Sequence, residues 1–278
     1  MAMERIALYN DSMQNWKKYE LPKAQLVLAD LPYQLGINAF ASNPSWYEGG
    51  DNKNGESKNA HSAFFDTDTK AGFRIPEFFH FCNGLLKKEP KEKNSAGCLF
   101  FFCAYEQQGE LIAEAKKYGF PNVIPMIFYK NYSAQVLKAN MRVVGNCEYA
   151  LLFYRDKLPK FRNKGRMVFN CQPWIDDDKN MPKIHPNQKP VALLERIIDI
   201  FTDVDDVVID PTAGSGTTLL ASANLNRRAY GFELKREFVR GFYEKLLPLR
   251  NVDIFAEAEL EDKQLARKQK MLEFGGVS

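Results

Sequence analysis

The sequence predicts an α/β fold built on a mostly parallel β-sheet. Short aliphatic runs recur along the chain, each long enough for one buried strand, as at 25–29 and 97–103. Amphipathic helical patterns separate most of these runs, which is the alternation expected of a parallel sheet with crossover helices. Because the 278 residues contain no repeat and no clean linker, we predict a single domain over residues 1–278.

Composition narrows the class of protein. Hydrophobic residues make up 45% of the chain and charged residues 26%, as in ordinary globular proteins, and the 38 lysines and arginines exceed the 35 acidic residues by only three. No run approaches the ~18 apolar residues of a membrane helix, and the N-terminus lacks the apolar core of a signal peptide. Five cysteines without a CxxC pair and three scattered histidines offer no zinc pattern. We therefore expect a cytoplasmic protein without a bound metal.

Two strands are predicted near the N-terminus. Residues 5–9 form the first, and Asp11 or Ser12 can cap the turn after it. Residues 25–29 form the second, which must end at Asp30-Leu31-Pro32-Tyr33 because Pro32 has no backbone N–H for the ladder. This step leaves a carboxylate and an aromatic ring at the C-terminal edge of the sheet, where open α/β sheets bind ligands.

An aperiodic stretch follows at about 34–74. Asn, Ser, Gly and Lys dominate it, and aromatic residues are interspersed. A loop of this length inside a compact domain is usually functional or disordered. Because it leaves directly from Tyr33, we predict a mobile loop that covers the site.

The middle of the chain continues the alternation. Helical spacing and apolar runs predict helices at about 76–88 and 106–118 and strands at 97–103, 123–129 and 147–154. Basic and aromatic residues are then interleaved, the basic ones being Lys157, Lys160, Arg162, Lys164 and Arg166. Cations neutralise phosphates and rings stack on bases, so this segment predicts a nucleic-acid contact, although it could equally be a solvated loop.

The C-terminal part contains a Gly-rich turn, Asp210 to Thr218, between a strand and a helix. Glycines let a ligand approach the backbone, and Glu233 follows Asp210 by 23 positions, where a βαβ unit places its ribose-binding acid. The turn is not a dinucleotide fingerprint, because the sixth position from Gly214 is Leu219, and it lacks the lysine of a P-loop. Asp210 would repel a pyrophosphate and attract a cationic ligand such as a sulfonium. The turn therefore favours S-adenosylmethionine.

The remaining predicted elements surround this turn. They are helices at about 190–201, 215–225 and 235–246, strands at 204–209 and 228–232, and a mixed-charge stretch at 257–270 that could be an exposed helix or a homodimer contact.

Three blocks resemble DNA amino-methyltransferases of the β (permuted) group, which modify N6 of adenine or N4 of cytosine. The step Asp30-Leu31-Pro32-Tyr33 is similar to D/N/S-P-P-Y/F, residues His185 to Pro190 to H-P-x-Q-K-P, and Asp210 to Thr218 to D-P-x-x-G-S-G-T-T. The resemblance implies a Rossmann-like, mostly parallel seven-stranded sheet with helices on both faces and a circularly permuted motif order. It also implies double-stranded DNA as partner and a small target-recognition insertion at about 155–186.

The resemblance further implies residue roles. The catalytic residues would be Asp30, Leu31, Pro32 and Tyr33: the Asp30 carboxylate and the Leu31 carbonyl accept the amine's hydrogen bonds, while Tyr33 stacks on the flipped base. Direct in-line attack on the sulfonium methyl then needs no covalent protein nucleophile. The cofactor residues would be Asp11, Asp30, Gln188, Lys189, Pro190, Asp210, Thr212, Ala213, Gly214, Ser215, Gly216, Thr217, Thr218 and Glu233. By position alone, each of the cofactor residues could instead be a cap or turn residue.

Several alternatives stay open. The acidic Asp30 favours N6 of adenine, because serine is usual at this position in N4-cytosine enzymes of the family, and the absence of a Pro-Cys dipeptide argues against C5-cytosine chemistry. N4-cytosine methylation, an RNA or protein-amide methyltransferase and a catalytically silent DNA-binding relative are the other candidates. Leu31 replaces the usual first proline of the motif, so no ring fixes φ at the expected carbonyl.

Overall fold

The computed structural model describes residues 4–32, 73–132, 135–138, 143–185 and 187–251. Within them lie an eight-stranded sheet and a two-stranded hairpin. The strands are β1 Ile6–Tyr9, β2 Leu26–Asp30, β3 Cys98–Cys103, β4 Asn122–Tyr129, β5 Gln135–Lys138, β6 Val143–Gly145, β7 Cys147–Tyr154, β8 Cys171–Pro173, β9 Val207–Asp210 and β10 Arg228–Phe232. The α-helices are α1 Ile75–Leu85, α2 Gln108–Lys117, α3 Val191–Phe201, α4 Thr217–Asn224 and α5 Arg236–Gly241.

The sheet has the strand order β1-β10-β9-β2-β3-β7-β4-β8. Its pairings are parallel except for those of β7 with β3 and with β4. The predicted α/β fold with a mostly parallel sheet is thus confirmed. All seven predicted strands are present in the large sheet, where β8 is the eighth strand in the described part of the chain, and the hairpin strands β5 and β6 were not predicted either. Strand β8 has only three residues, which is too few to show an alternation of apolar and polar residues. The predicted seven-stranded sheet therefore has one strand fewer than the observed sheet.

The two faces of β2 explain why its sequence is a continuous apolar run. Leu26 and Leu28 belong to one buried cluster, which includes residues of α3 and α4. Val27 and Ala29 belong to a second cluster on the opposite face, with residues of α1 and α2. Since side chains alternate along a strand, a strand covered on both faces needs apolar residues at every position.

The register places several strand ends at one edge of the sheet. Asp30, the last residue of β2, is paired with Phe102 near the end of β3, and the preceding part of β2 pairs with β9, which ends at Asp210. The antiparallel β7 begins at this same edge, because Cys103 is paired with Tyr149. Residues from parallel strand ends and from the start of β7 are therefore brought together.

Some predictions fall outside the described residues. Tyr33, nearly all of the loop at about 34–74, Pro186 and the mixed-charge stretch at 257–270 are among them. The predicted insertion at about 155–186 is described up to residue 185 and contains the short strand β8 and no helix there. Among the described residues, no helix has the length and apolar character required to cross a membrane.

Candidate active site

A large cleft opens at the C-terminal edge of the sheet. Its volume is about 970 Å³, at the upper end of the range for small-molecule sites. The wall includes the predicted catalytic residues Asp30, Leu31 and Pro32, together with most of the Gly-rich turn. Residues at the ends of β1 and β10 and the segment before α3 complete it. Sequence blocks that lie far apart in the chain thus form one site.

Asp30 is held at the base of this cleft by its backbone. The N–H of Leu31 donates to the Phe102 carbonyl at 3.0 Å, and the Thr212 hydroxyl donates to the Asp30 carbonyl at 3.0 Å. The side-chain Oδ2 accepts from the Lys189 ammonium at 2.7 Å. Oδ1 is buried and has no hydrogen-bond partner among the residues that the structure describes. A carboxylate has about four acceptor positions, so most of the capacity of Asp30 remains unfilled.

Opposing effects set the charge of this carboxylate. Burial raises the pKa of Asp30 above its ordinary value, and the negative charge of Glu148 raises it further, while the ammonium groups of Lys189 and Lys130 lower it. Burial lowers the pKa of Lys189, but the Asp30 and Glu148 carboxylates outweigh that effect and raise it overall. The Lys189 ammonium is therefore stabilised by its two carboxylate partners, and its charge opposes the effect of burial on the pKa of Asp30.

The charged groups continue beyond Lys189. Its Nζ lies 3.8 Å from Glu148 Oε2, and Glu148 Oε1 accepts from the Lys130 ammonium at 2.6 Å. That ammonium lies 4.3 Å from the centre of the Trp174 ring, a cation–π distance. Sequence reasoning did not assign Glu148 or Lys130 to the site. No motif marks them, and only the antiparallel direction of β7 brings Glu148 to this edge.

Leu31 and Pro32 are fixed by packing and hydrogen bonds. The Leu31 side chain is 2% exposed and packs in the second buried cluster. The Pro32 carbonyl accepts from Gln107 Nε2 at 2.9 Å, and Gln107 Oε1 accepts from the Ala104 N–H at 3.0 Å. Burial of the leucine and these bonds restrict the backbone where the sequence lacks the motif's usual proline. The role of the Leu31 carbonyl as a second acceptor stays a prediction.

Asp210 begins the Gly-rich turn and is buried. Its Oδ1 accepts from the Thr212 N–H at 3.0 Å, and the Thr218 hydroxyl also donates to it. Burial and the negative charges of Asp30 and Glu233 nevertheless raise the pKa of Asp210 to about 7. Asp30, Asp210 and Glu233 thus face the same cleft, and their carboxylates favour a cationic ligand.

The two glycines of the turn with positive φ differ in role. Gly214 has φ +53°, and a Cβ added there would meet only His185 Cδ2, at 4.0 Å. Gly216 has φ +80°, and a Cβ there would lie 2.5 Å from a ring carbon of Phe242. Gly214 therefore gives a ligand access to the backbone. Gly216 is needed for close packing against the Phe242 ring, and its predicted contact with the cofactor stays a prediction.

The acids at the ends of β1 and β10 both line the cleft. Asp11 Oδ1 accepts from the Ser12 N–H and from Asn15 Nδ2, each at 2.7 Å, and Oδ2 accepts from the Tyr19 hydroxyl at 2.8 Å. The Asn15 hydrogen bond is the largest of the effects that lower the pKa of Asp11. Asp11 thus organises its own turn, which is the capping alternative that its position allowed. Glu233 Oε1 accepts from the backbone N–H two residues later at 2.7 Å.

The segment before α3 supplies Gln188, Lys189 and Pro190 to the wall of the cleft, and their predicted contact with the cofactor stays a prediction. Gln188 braces its own loop, because its side chain donates to the Pro182 carbonyl at 3.0 Å and accepts from the Ile184 N–H at 3.2 Å. Pro190 is the N-cap of α3. Burial and neighbouring lysines lower the pKa of His185 to about 4, so this ring is neutral at pH 7. Lys189 also pairs with Asp30, which the sequence did not predict.

Two of the residues predicted to contact DNA lie at the opposite edge of the sheet. Lys160 Nζ is 2.6 Å from Asp206 Oδ2 and 2.7 Å from Asp203 Oδ2, just before β9 begins. Arg162 forms two hydrogen bonds with the same Asp203. These ion pairs give both residues a structural role, away from the cleft. Lys157, Lys164 and Arg166 are exposed, and Lys157 donates to the Pro90 carbonyl.

The site fits the predicted cofactor, S-adenosylmethionine. Asp30 and Asp210 supply negative charge for a sulfonium, Gly214 leaves the backbone accessible, and Glu233 offers a carboxylate for ribose hydroxyls. Within the described part of the chain, no residue donates a hydrogen bond to Oδ1 of Asp30, so the site keeps an unfilled acceptor there.

Comparisons with known proteins identify the family of this chain. Residues 24–244 match a family model described as DNA methylase. The DNA adenine methyltransferase YhdJ of Escherichia coli (strain K12) is 24% identical over 290 aligned positions, which cover 95% of this chain and 87% of YhdJ. The type II methyltransferase M2.MboI of Moraxella bovis is 42% identical over 85 positions, covering 31% of this chain and 29% of M2.MboI.

Solved structures show the same fold. The crystal structure of the M1.HpyAVI–SAM complex superposes with a TM-score of 0.60 at 22% identity, covering 86% of this chain and 98% of M1.HpyAVI. The cytosine-N4-specific PvuII DNA methyltransferase gives a TM-score of 0.58 at 17% identity, covering 85% of this chain and 84% of the other. Because the family model spans most of the sequence, the chain belongs to the S-adenosylmethionine-dependent N6-adenine/N4-cytosine DNA methyltransferases.

Proposed function

We propose that this methyltransferase acts in the cytoplasm on the exocyclic N6 amine of adenine in duplex DNA, after the base is flipped out of the helix. One observation carries the proposal. Asp30 presents a carboxylate with unfilled acceptor positions at the base of the cleft, and Thr212 ties its backbone to the Gly-rich turn. This hydrogen bond holds the proposed acceptor for the amine, Asp30, next to the Gly-rich turn that would bind the cofactor.

The chemistry explains why such an acceptor is needed. The lone pair of an exocyclic amine is delocalised into the ring, so the amine is a poor nucleophile until its hydrogens are held by acceptors. The Asp30 carboxylate accepts one of these hydrogen bonds, and we assign the second to the Leu31 carbonyl. Lys189 keeps the carboxylate oriented and charged while it does so. Positioning and charge complementarity then supply most of the catalysis.

Bound S-adenosylmethionine supplies an electrophilic methyl group on its sulfonium. Within the protein, Asp210 and the Gly214 backbone would hold the methionine and sugar portion, and Glu233 would hold the ribose hydroxyls. Aromatic rings that line the cleft are suited to stack on the target base. The ring centres of Tyr105 and Tyr149 are 5.8 Å apart, and Trp174 also lines the cleft. Tyr33 stays the predicted stacking residue.

The base assignment rests on the first residue of the catalytic step. An acidic residue, Asp30, stands where serine is usual in N4-cytosine members of the family, and the relative YhdJ is named an adenine methyltransferase. N4-cytosine methylation is the second candidate, because the family covers both reactions and the fold is shared with the cytosine-N4-specific PvuII enzyme.

Nucleoside analysis tests the proposal. The protein is incubated with methyl-tritiated S-adenosylmethionine and duplex DNA from a host without DNA methyltransferases, and the digested nucleosides are separated. We expect the label in N6-methyldeoxyadenosine. The matched control Glu114→Gln alters an exposed ion pair with Lys117 on α2 and should transfer normally. Label in N4-methyldeoxycytidine would establish the second candidate, and no transfer to DNA would refute both.

A further inference from the structure

Charged side chains of alternating sign form a continuous chain from Asp30 across the cleft wall. We call Asp30, Lys189, Glu148 and Lys130 the charge chain. Successive oxygen–nitrogen distances are 2.7, 3.8 and 2.6 Å. The chain ends where Lys130 lies 4.3 Å from the centre of the Trp174 ring. Its formal charges sum to zero, as expected where charges are withdrawn from water.

Different elements supply these residues. Asp30 ends β2, Lys189 precedes α3, Glu148 is the second residue of β7, and Lys130 follows β4 directly. Lys130, Lys189 and Glu148 are 9%, 11% and 20% exposed, so each depends on its partners for compensation. The geometry is fixed locally, because the Lys130 N–H donates to the Asn146 carbonyl at 2.6 Å.

The far end of the charge chain reaches the segment predicted to recognise the target. The Trp174 N–H donates to the Tyr129 carbonyl at 2.8 Å, and its indole nitrogen donates to Asp176 Oδ1 at 2.9 Å. Trp174 thus belongs both to the cleft wall and to the predicted insertion at about 155–186. Lys130 connects this wall to the catalytic carboxylate through two further side chains.

We propose that Glu148 and Lys130 are positioning residues for methyl transfer: they hold the Lys189 ammonium against Asp30 and thereby fix the orientation and charge of the catalytic carboxylate. The inference rests on the proposed role of Asp30. Glu148 acts through Lys189, and Lys130 acts through Glu148, so neither needs to touch the base or the cofactor.

The arrangement has an electrostatic signature. Toward Asp30, the positive charges of Lys189 and Lys130 favour the ionised carboxylate, whereas Glu148 disfavours it. Asp210 and the Cys103 thiol also face Asp30, and both are unchanged in the variants below. Removing successive charges along the chain must therefore move the pKa of Asp30 up, down and up again.

The pH dependence of kcat tests this signature in Lys189→Met, Glu148→Gln and Lys130→Met. Transfer requires ionised Asp30, so a higher pKa moves the acid limb of the profile to higher pH. We expect Lys189→Met to move the limb up by about one unit or more. Glu148→Gln should move the acid limb to lower pH by a smaller amount. Lys130→Met should move it to higher pH, also by a smaller amount than Lys189→Met. Glu114→Gln, from an exposed pair of the same 2.6 Å length, should leave the limb unchanged.

A second readout does not depend on catalysis. The ¹³C-carboxyl signal of Asp30, assigned by its absence in Asp30→Asn, gives the same three shifts in labelled protein. If Glu148→Gln does not fold, the double variant Glu148→Gln/Lys130→Met removes both charges of the Glu148–Lys130 ion pair. The acid limb of its pH profile must then lie at a clearly lower pH than the acid limb of Lys189→Met. Shifts that do not alternate in sign, by either readout, would overturn the inference.

The experiments distinguish failure of this inference from failure of the proposed function. Label in N4-methyldeoxycytidine, or no transfer by the wild-type protein, would refute only the proposal of adenine methylation. The titration of the Asp30 carboxyl group would still decide whether Glu148 and Lys130 position it.

Discussion

Two aspartates at opposite edges of the same sheet show how differently a fold can treat one side chain. Asp206 lies just before β9, where Oδ1 accepts from Lys87 at 2.8 Å and Oδ2 accepts from Lys160 at 2.6 Å and from the Asp203 N–H at 2.9 Å. Asp30 ends β2 with one partner on Oδ2 and none on Oδ1. Both carboxylates pair with lysines, yet only Asp206 has both oxygens satisfied.

The pKa values record the difference. Burial raises the pKa of Asp206, but hydrogen bonds from Lys160 and Lys87 outweigh it, so that the pKa is lowered. At Asp30 burial prevails over Lys189, and the pKa is raised. The N-terminal edge therefore uses its carboxylate to stabilise the fold. The C-terminal edge keeps a carboxylate whose ionised form the fold itself does not favour, which is a property of functional sites.

Replacing each aspartate by asparagine should separate stability from activity. Asp206→Asn removes the charge shared by the largely buried Lys160 and the partly exposed Lys87, and should lower the free energy of unfolding by about 2 kcal/mol. Asp30→Asn removes a charge that the fold disfavours, so its stability should change much less, while kcat should fall by about 10²- to 10⁴-fold. Urea unfolding and tritium transfer per folded molecule measure the two effects.

The contrast between the edges would fail if the two variants behaved alike. Loss of transfer in folded Asp206→Asn, or full transfer by Asp30→Asn, would each show that the catalytic carboxylate has been assigned to the wrong edge.

Asp210 and Asp206 should also make the stability of the protein depend on pH in opposite directions. Its pKa of about 7 in the folded protein exceeds the ordinary value of 3.8, so the folded state binds more protons than the unfolded state between these values. Stability should therefore be highest at low pH and fall by roughly 2 kcal/mol between pH 5 and pH 8 from this group. Asp206 acts in the opposite direction, and its contribution is lost as the pH falls below about 4.

Thermal unfolding of the cofactor-free protein at the two pH values measures the Asp210 effect. We expect the wild-type protein to lose more stability than Asp210→Asn on going from pH 5 to pH 8. Equal losses would show that Asp210 is already ionised at pH 5.

Arg162→Ala should have the smallest effect. The side chain is 55% exposed and pairs with Asp203 at the N-terminal edge, so its removal should cost less than about 1 kcal/mol. Because this edge faces away from the cleft, affinity for duplex DNA at low salt should stay within about twofold of wild type. A clear fall in affinity, with a reduced dependence on salt, would restore the sequence-based prediction that Arg162 contacts phosphates.

The sequence predicted the parts of this structure that local pattern specifies. The period of the apolar residues identified seven of the eight strands of the large sheet, and the chemistry of the turn Asp210 to Thr218 identified a segment that lines the cleft. Asp30 was recognised because a proline ends its strand beside it. In each case a few adjacent residues contain the necessary information.

Other features depend on contacts between distant residues. The strand 147–154 was predicted, but its antiparallel direction was not, and that direction alone brings Glu148 to the cleft. Lys160 and Lys189 each lie in a polar stretch, and the sequence predicted an ion pair for neither, although Lys189 belongs to a block that resembles a family motif. Only the three-dimensional position of a carboxylate partner makes the first a structural residue of the N-terminal edge and the second a neighbour of the catalytic group.

The hydrogen bond from the Thr212 hydroxyl to the Asp30 carbonyl joins residues 182 positions apart. It can form only after β2 and β9 have paired, and that pairing is among the longest-range contacts of the chain. A refolding chain that has formed its helices and local strand pairs would still lack an aligned acceptor. Return of methyl transfer during refolding would therefore report the last, non-local step of assembly, which spectroscopic measures of helix content cannot see.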